Sequence, residues 1–198
     1  MAAETSVSVA ILAGGRSRRM GRDKTALLLR GKPLLQHVVD SAASLQLPIQ
    51  IITNTPDNHA YLGLPMHTDV FPGSGSIGGL YTALHYTTSD YVLCLACDSP
   101  YLQPALLRYL IALRHDYDAV VPYVRARRHP LVAVYSKRCL PVIHERIERG
   151  ELRITTMLNE LHTRFVEEND VRRYDPGLKS FFNANTPEEF ARIAALSR

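Results

Sequence analysis

The sequence predicts an α/β fold, a single domain over residues 1–198 with a mostly parallel central sheet. Three observations predict it: short apolar runs alternate with helix-period segments, the runs are apolar on both faces, and polar or glycine-bearing segments follow several of them directly. A chain of 198 residues, 46% of them apolar, can bury a sizeable core, roughly 70% of the surface its unfolded form exposes.

The first run is Val7 to Leu12, bounded by Gly14 and Gly15. Its near-continuous apolar character suits a central strand covered on both sides. Beyond a basic loop, Leu34, Leu35, Val38, Val39 and Ala42 form one stripe of a helix from Pro33 to about Leu45, with Pro33 at its first position. Ile49 to Thr53 reads as the second strand. Residues 71–79 read as a glycine-rich loop entering a helix near Leu80 to Tyr86. A buried strand follows at Tyr91 to Ala96, then a helix from Pro104 to about Arg114 and a strand from Ala119 to Pro122. This β–α alternation implies right-handed crossovers on a parallel sheet. The last third is less regular: a strand at Pro130 to Tyr135, helical segments to about Leu161, and a short strand at Thr163 to Val166. Thr186 as N-cap, Pro187 at N1 and Glu189 at N3 mark a final helix.

Composition excludes several classes. Three cysteines, an odd number, argue against a disulfide framework. Cys94 and Cys97 lie three apart on a strand, so they point to opposite faces and cannot share a metal. No apolar run approaches the ~20 residues that cross a bilayer, and the N-terminus lacks the pattern of a signal peptide. A cytoplasmic protein without membrane contact is expected. The net charge of +4 is concentrated in Arg16, Arg18, Arg19, Arg22 and Lys24 and in a second cluster, Arg125, Arg127, Arg128 and His129. The first of these loops carries no aromatic side chain, which disfavours single-stranded nucleic acid as its partner.

In open α/β sheets ligands bind beyond the carboxyl ends of the strands. Three polar segments stand there: Gly14 to Lys24, the region of Asn54, and Asp98. Gly14 and Gly15 let backbone N–H groups approach a phosphate, and Lys24 can neutralise its oxygens. The loop matches neither the Walker A pattern nor the dinucleotide fingerprint. Asp98, at the end of a buried strand, reads either as a helix N-cap or turn aspartate or as a ligand of Mg²⁺, which takes one or two carboxylates and completes its shell with phosphates and water. Asp69, before the glycine-rich segment, is a second candidate carboxylate.

The segment from Leu12 to Lys24 resembles the signature loop of nucleoside-triphosphate transferases, and most of all that of the molybdenum cofactor guanylyltransferases. The similarity continues through Gly31 to Val38, Cys97-Asp98-Ser99-Pro100, His129-Pro130-Leu131 and Asn183 to Glu189, in the same order along essentially the whole chain. It implies a Rossmann-like three-layer α/β/α fold of the nucleotide-diphospho-sugar-transferase kind. It implies an Mg²⁺-dependent transfer of GMP from GTP to molybdopterin cofactor, with molybdoenzyme chaperones or apo-molybdoenzymes as recipients. By the same resemblance Leu12, Ala13, Gly14 and Gly15 line the nucleotide site, and Lys24 holds phosphates. Asn54 and Asp69 help bind the guanosine, Asp98 holds the metal, and His129, Asn183 and Asn185 face the pterin. Asp98, Lys24 and Arg19 are the expected catalytic residues. Ser76 stands where the family has proline. A cytidylyl- or other nucleotidyltransferase acting on a pterin, sugar phosphate or cobamide precursor is the alternative; Gly15, where cytidylyltransferases of this type have alanine, favours guanine.

Overall fold

The computed structural model describes residues 6–14, 27–184, 189 and 190; the expected cap residues Thr186 and Pro187 lie outside them. Its strands are β1 (Val7–Leu12), β2 (Leu28–Leu29), β3 (Lys32–Pro33), β4 (Ile49–Ile52), β5 (Met66–His67), β6 (Tyr91–Ala96), β7 (Ala119–Val124), β8 (Arg127–Arg128), β9 (Val132–Ser136) and β10 (Thr163–Glu167). Its helices are α1 (Leu34–Ala43), α2 (Gly75–Tyr86), α3 (Pro104–Ala112), α4 (Leu140–Glu148), α5 (Ile154–Met157) and α6 (Glu168–Arg172), with 3₁₀ turns at Pro56–Leu62, Lys137–Cys139 and Lys179–Phe181.

The main sheet has the order β10-β7-β9-β6-β1-β4-β5, with β8 hydrogen-bonded to β7. Strands β1, β4, β5 and β6 run parallel, as do β7 and β10, while β9 is antiparallel to both β6 and β7. The sheet is therefore mixed but mostly parallel. All six residues of β1 are buried. Val7, Val9 and Ile11 join the side chains of α1 and α3 in one core. Ala10 and Leu12 join those of α2, α4 and α5 in the other. Three layers result. Cys94 lies in the second core while Cys97 packs against the first, which is the opposition expected of positions three apart on a strand. Burial pushes the Cys94 thiol up to about 12, far above any range in which a thiolate forms at neutral pH.

Two elements differ from the sequence expectations. Pro33 is the N-cap of α1, not its first helical residue, because it still pairs with Leu28 across the β2–β3 hairpin. Helix α2 starts at Gly75, so Gly78 and Gly79 lie within the helix and not in a loop. Their lack of side chains answers close packing: a Cβ on Gly78 would sit 2.9 Å from Ser74 Cβ, and one on Gly79 would sit 3.2 Å from Leu12 Cδ1. Strand β9, in the less regular last third for which the sequence implied no direction, runs antiparallel between β6 and β7.

The β7–β8 hairpin turns through Arg125 and Ala126, with φ of 52° and 55°. Positive φ at both central residues is what a two-residue type I′ turn requires, yet neither residue is glycine or asparagine. Ala126→Gly is expected to raise stability by about 0.5–1 kcal/mol, the left-handed penalty relieved less the extra entropy of glycine when unfolded. A higher urea midpoint at unchanged slope would show it; an unchanged or lower midpoint would contradict it.

Candidate active site

Because β1, β4, β5, β6 and β7 point the same way, their carboxyl ends share one rim. Leu12, Ala13 and Gly14 leave β1 at its centre, where Ala13 N–H donates to Ile52 O at 2.8 Å and Cys97 N–H donates to Leu12 O at 3.3 Å. The first strand is thus pinned between β4 and β6 at the point where its chain turns away. Gly14 is exposed, and a Cβ there would come no nearer than 4.0 Å to Ile52 O. Gly15, Arg19, Lys24 and Asn185 lie outside the described residues.

On the β4–β5 side of the rim, Asn54 and Asp69 meet. Asn54 Nδ2 donates to Asp69 Oδ2 at 2.8 Å, and Asp69 N–H donates back to Asn54 Oδ1 at 3.0 Å. The two residues are 15 apart in sequence, and the reciprocal pair fixes both side chains. The carboxylate keeps acceptor capacity beyond the Asn54 bond.

At the centre, Asp98 follows β6 and is half-buried. Its backbone carbonyl accepts from Ala184 N–H at 3.0 Å, and Ser99 Oγ donates to Asn183 Oδ1 at 2.9 Å. Asp98 and Asn183, 85 positions apart, therefore belong to one corner of the rim. The turn that delivers Asn183 is held by the buried Asp175 carboxylate, which accepts from the N–H groups of Lys179 and Ser180 at 3.0 and 2.8 Å. A carboxylate at the end of a central strand suits magnesium, which needs few protein ligands when phosphates complete its shell. It does not suit zinc, which calls for three or four histidine, cysteine or carboxylate ligands, and the described residues contain no cluster of three such groups able to hold a metal.

On the far side, His129 precedes β9. Its ring lies 4.4 Å from that of Phe181 and its Nε2 is 3.3 Å from Val124 O. Burial holds its pKa below the usual histidine value; Arg127 and Arg125 push the same way, against the Val124 contact. The buried Tyr135 hydroxyl donates to Pro130 O at 2.8 Å and so steadies the turn that carries His129. Arg125 lies 5.4 Å over the ring of Phe182. The second arginine cluster is thus divided. Arg128 donates to Thr155 O and Asn159 Oδ1 at 2.6 and 2.7 Å and covers the Phe165 ring, so it ties β8 to α5. Arg125 instead faces the segment that leads into Asn183.

Sequence reasoning missed Ser99, Phe181 and Phe182 as site walls. The adjacent Phe181-Phe182 pair before Asn183 was the available signal, since two aromatics outside any periodic element need something to cover.

The family model described as MobA-like NTP transferase domain matches residues 9–164. A molybdenum cofactor guanylyltransferase from Desulfosudis oleivorans is 36% identical over 192 residues, covering 96% of this chain and 95% of that protein. One from Vibrio cholerae is 33% identical over 195 residues, covering 97% and 93%. A solved molybdopterin-guanine dinucleotide biosynthesis protein A from Archaeoglobus fulgidus superposes with a TM-score of 0.84 at 28% identity, over 96% of this chain and 98% of that one. A glucose-1-phosphate thymidylyltransferase structure from Bacillus anthracis, 17% identical with a TM-score of 0.74, shares the fold. With the family model matching residues 9–164 and relatives 36% and 33% identical over nearly their whole length, the chain belongs to the MobA-like nucleotidyltransferase family.

Proposed function

We propose that this enzyme transfers GMP from GTP to the terminal phosphate of molybdopterin cofactor, forming the guanine dinucleotide and pyrophosphate. The observation that carries this reading is near full-length similarity to proteins named molybdenum cofactor guanylyltransferase, 36% and 33% identical. The rim supports it: the Asn54–Asp69 pair, the Asp98 corner and the His129–Asn183 wall occur in that order across the sheet.

In this reaction an oxygen of the acceptor phosphate forms a bond to the α-phosphorus of GTP. The bond from that phosphorus to the bridging oxygen of pyrophosphate breaks. A phosphomonoester, with a second pKa near 6, is already largely ionised at neutral pH, so no general base is required. The protein's work is alignment and charge compensation. Asn54 and Asp69 would face the guanosine, Leu12 to Gly15 the phosphates, and His129, Asn183 and Asn185 the pterin. Lys24, with Arg19 and its neighbours, would offset the repulsion between two anions. Asp98 would hold Mg²⁺, which supplies shielding of phosphate charge. Among the described residues no helix is long and apolar enough to cross a membrane. Delivery to molybdoenzyme chaperones or apo-molybdoenzymes in the cytoplasm belongs to the same proposal.

Pyrophosphate release should require GTP, molybdopterin cofactor and Mg²⁺ together, with CTP, UTP and ATP poor substitutes. Lys24→Ala should chiefly raise KM for GTP. Equal turnover with CTP, or release without the pterin, would reject the assignment.

A further inference from the structure

The Asp69 carboxylate stands in a connection between β5 and α2, and two side chains secure consecutive backbone amides of that connection. Asp69 N–H is taken by Asn54 Oδ1 at 3.0 Å. Val70 N–H is taken by Thr82 Oγ1, also at 3.0 Å. Thr82 lies in α2 and is fully buried. Its hydroxyl proton is donated to Gly78 O at 2.9 Å, which turns the oxygen's lone pairs toward Val70. Threonine tolerates a helix interior when its hydroxyl bonds the carbonyl four residues back, and here that local bond also orients an acceptor. Thr82 is fully buried whereas Val70 is exposed, so a Val70 N–H deprived of the hydroxyl would turn toward solvent and carry the neighbouring Asp69 with it.

The next turn of the connection is anchored to the same stretch of helix. Ser74 is buried and its N–H donates to Phe71 O at 3.2 Å. A Cβ on Gly78 would meet Ser74 Cβ at 2.9 Å and Phe71 O at 3.0 Å. Residues 70–74 are thus seated against one turn of α2, with Thr82 supplying the bond nearest Asp69.

We propose that Thr82 is a positioning residue for nucleotide selection: its hydroxyl sets the height and angle at which Asp69 presents its carboxylate to the base. The inference rests on the reading of Asn54 and Asp69 as the guanosine pair. A carboxylate can accept from both the ring N1–H and the exocyclic 2-amino group of guanine. Inosine triphosphate lacks the amino group, so the ratio of its Kd to that of GTP reports how well the carboxylate is placed. A threonine serving stability alone would leave that ratio untouched.

The test is calorimetric binding of GTP and of inosine triphosphate, each with Mg²⁺, to the full chain and its variants. Thr82→Val keeps the shape and removes the hydroxyl. It should lower the preference for GTP by about tenfold, the order expected when a hydrogen bond to a charged group is misplaced. Thr82→Ser should retain the wild-type preference. If the valine variant does not fold, Thr82→Ala carries the same loss in a smaller side chain and should show the same drop. Asp69→Asn is the control for the underlying reading and should abolish most of the preference. A folded valine or alanine variant with the wild-type ratio, beside an Asp69→Asn variant that has lost it, overturns the role of Thr82 alone. An Asp69→Asn variant that keeps the ratio shows instead that the guanosine reading has failed, and Thr82 falls with it.

Discussion

Asp98→Ala is expected to fold normally and to transfer nucleotide about 10²–10³-fold more slowly, the usual loss when one preorganised electrostatic element is removed from a charge-building transition state. Folding should survive because two bonds that hold the corner do not use the Asp98 carboxylate: its backbone carbonyl accepts from Ala184 N–H at 3.0 Å, and Ser99 Oγ donates to Asn183 Oδ1 at 2.9 Å. The alanine keeps that carbonyl. The loss should appear in kcat at saturating GTP and cofactor, with the circular dichroism spectrum unchanged. Asp98→Asn, which preserves size and removes charge, should be nearly as slow. Turnover close to wild type in either variant would remove Asp98 from the chemistry.

The second large effect is structural. Gly78→Ala places a methyl group 2.9 Å from Ser74 Cβ and 3.0 Å from the Phe71 carbonyl oxygen. Alanine is favoured over glycine inside a helix by about 1 kcal/mol, whereas overpacking typically costs about 1–3 kcal/mol. Packing should win at this position, because one obstacle is backbone and the other is a buried side chain whose own N–H is bonded to that backbone. A net loss of up to about 2 kcal/mol is expected, lowering Tm by about 2–4 °C per kcal/mol for a chain of this length. Gly79→Ala should be milder, since its Cβ meets the branched end of Leu12 at 3.2 Å, and a leucine terminus can rotate away. Equal stability of wild type and Gly78→Ala would show that residues 71–74 yield freely, and would weaken the case for Thr82 as well.

Much of this was legible in the sequence because the signals were local. The apolar runs at Val7 to Leu12 and Tyr91 to Ala96 gave strands with those bounds, since a strand buried on both faces has no other composition available. The order of turns beyond the strands gave Asp98 and Asn54 as rim residues. What the sequence could not convey was pairing at a distance. Nothing local tells β9 to run antiparallel between β6 and β7, because Val132 to Ser136 is apolar in either direction. Asn54 finding Asp69, and Ser99 finding Asn183, depend on strand order rather than spacing. The glycine-rich segment was misjudged for a related reason. Glycine marks flexibility in a loop and close approach in a helix, and only the neighbour that a Cβ would strike distinguishes the two.

The reversed strand has a geometric consequence. Parallel neighbours require a crossover of a dozen or more residues, whereas an antiparallel neighbour can return through a short link. Inserting β9 therefore widens the row of strand ends without placing another helix along it. From β5 to β7 there are five inter-strand spacings of about 4.8 Å, a ruler roughly 24 Å long. Asp69 stands near one end of that ruler, Asp98 near the middle and Arg125 at the other end. An elongated molecule made of two joined halves could lie along it with its junction at the centre, and the sheet itself would set the distance between the halves.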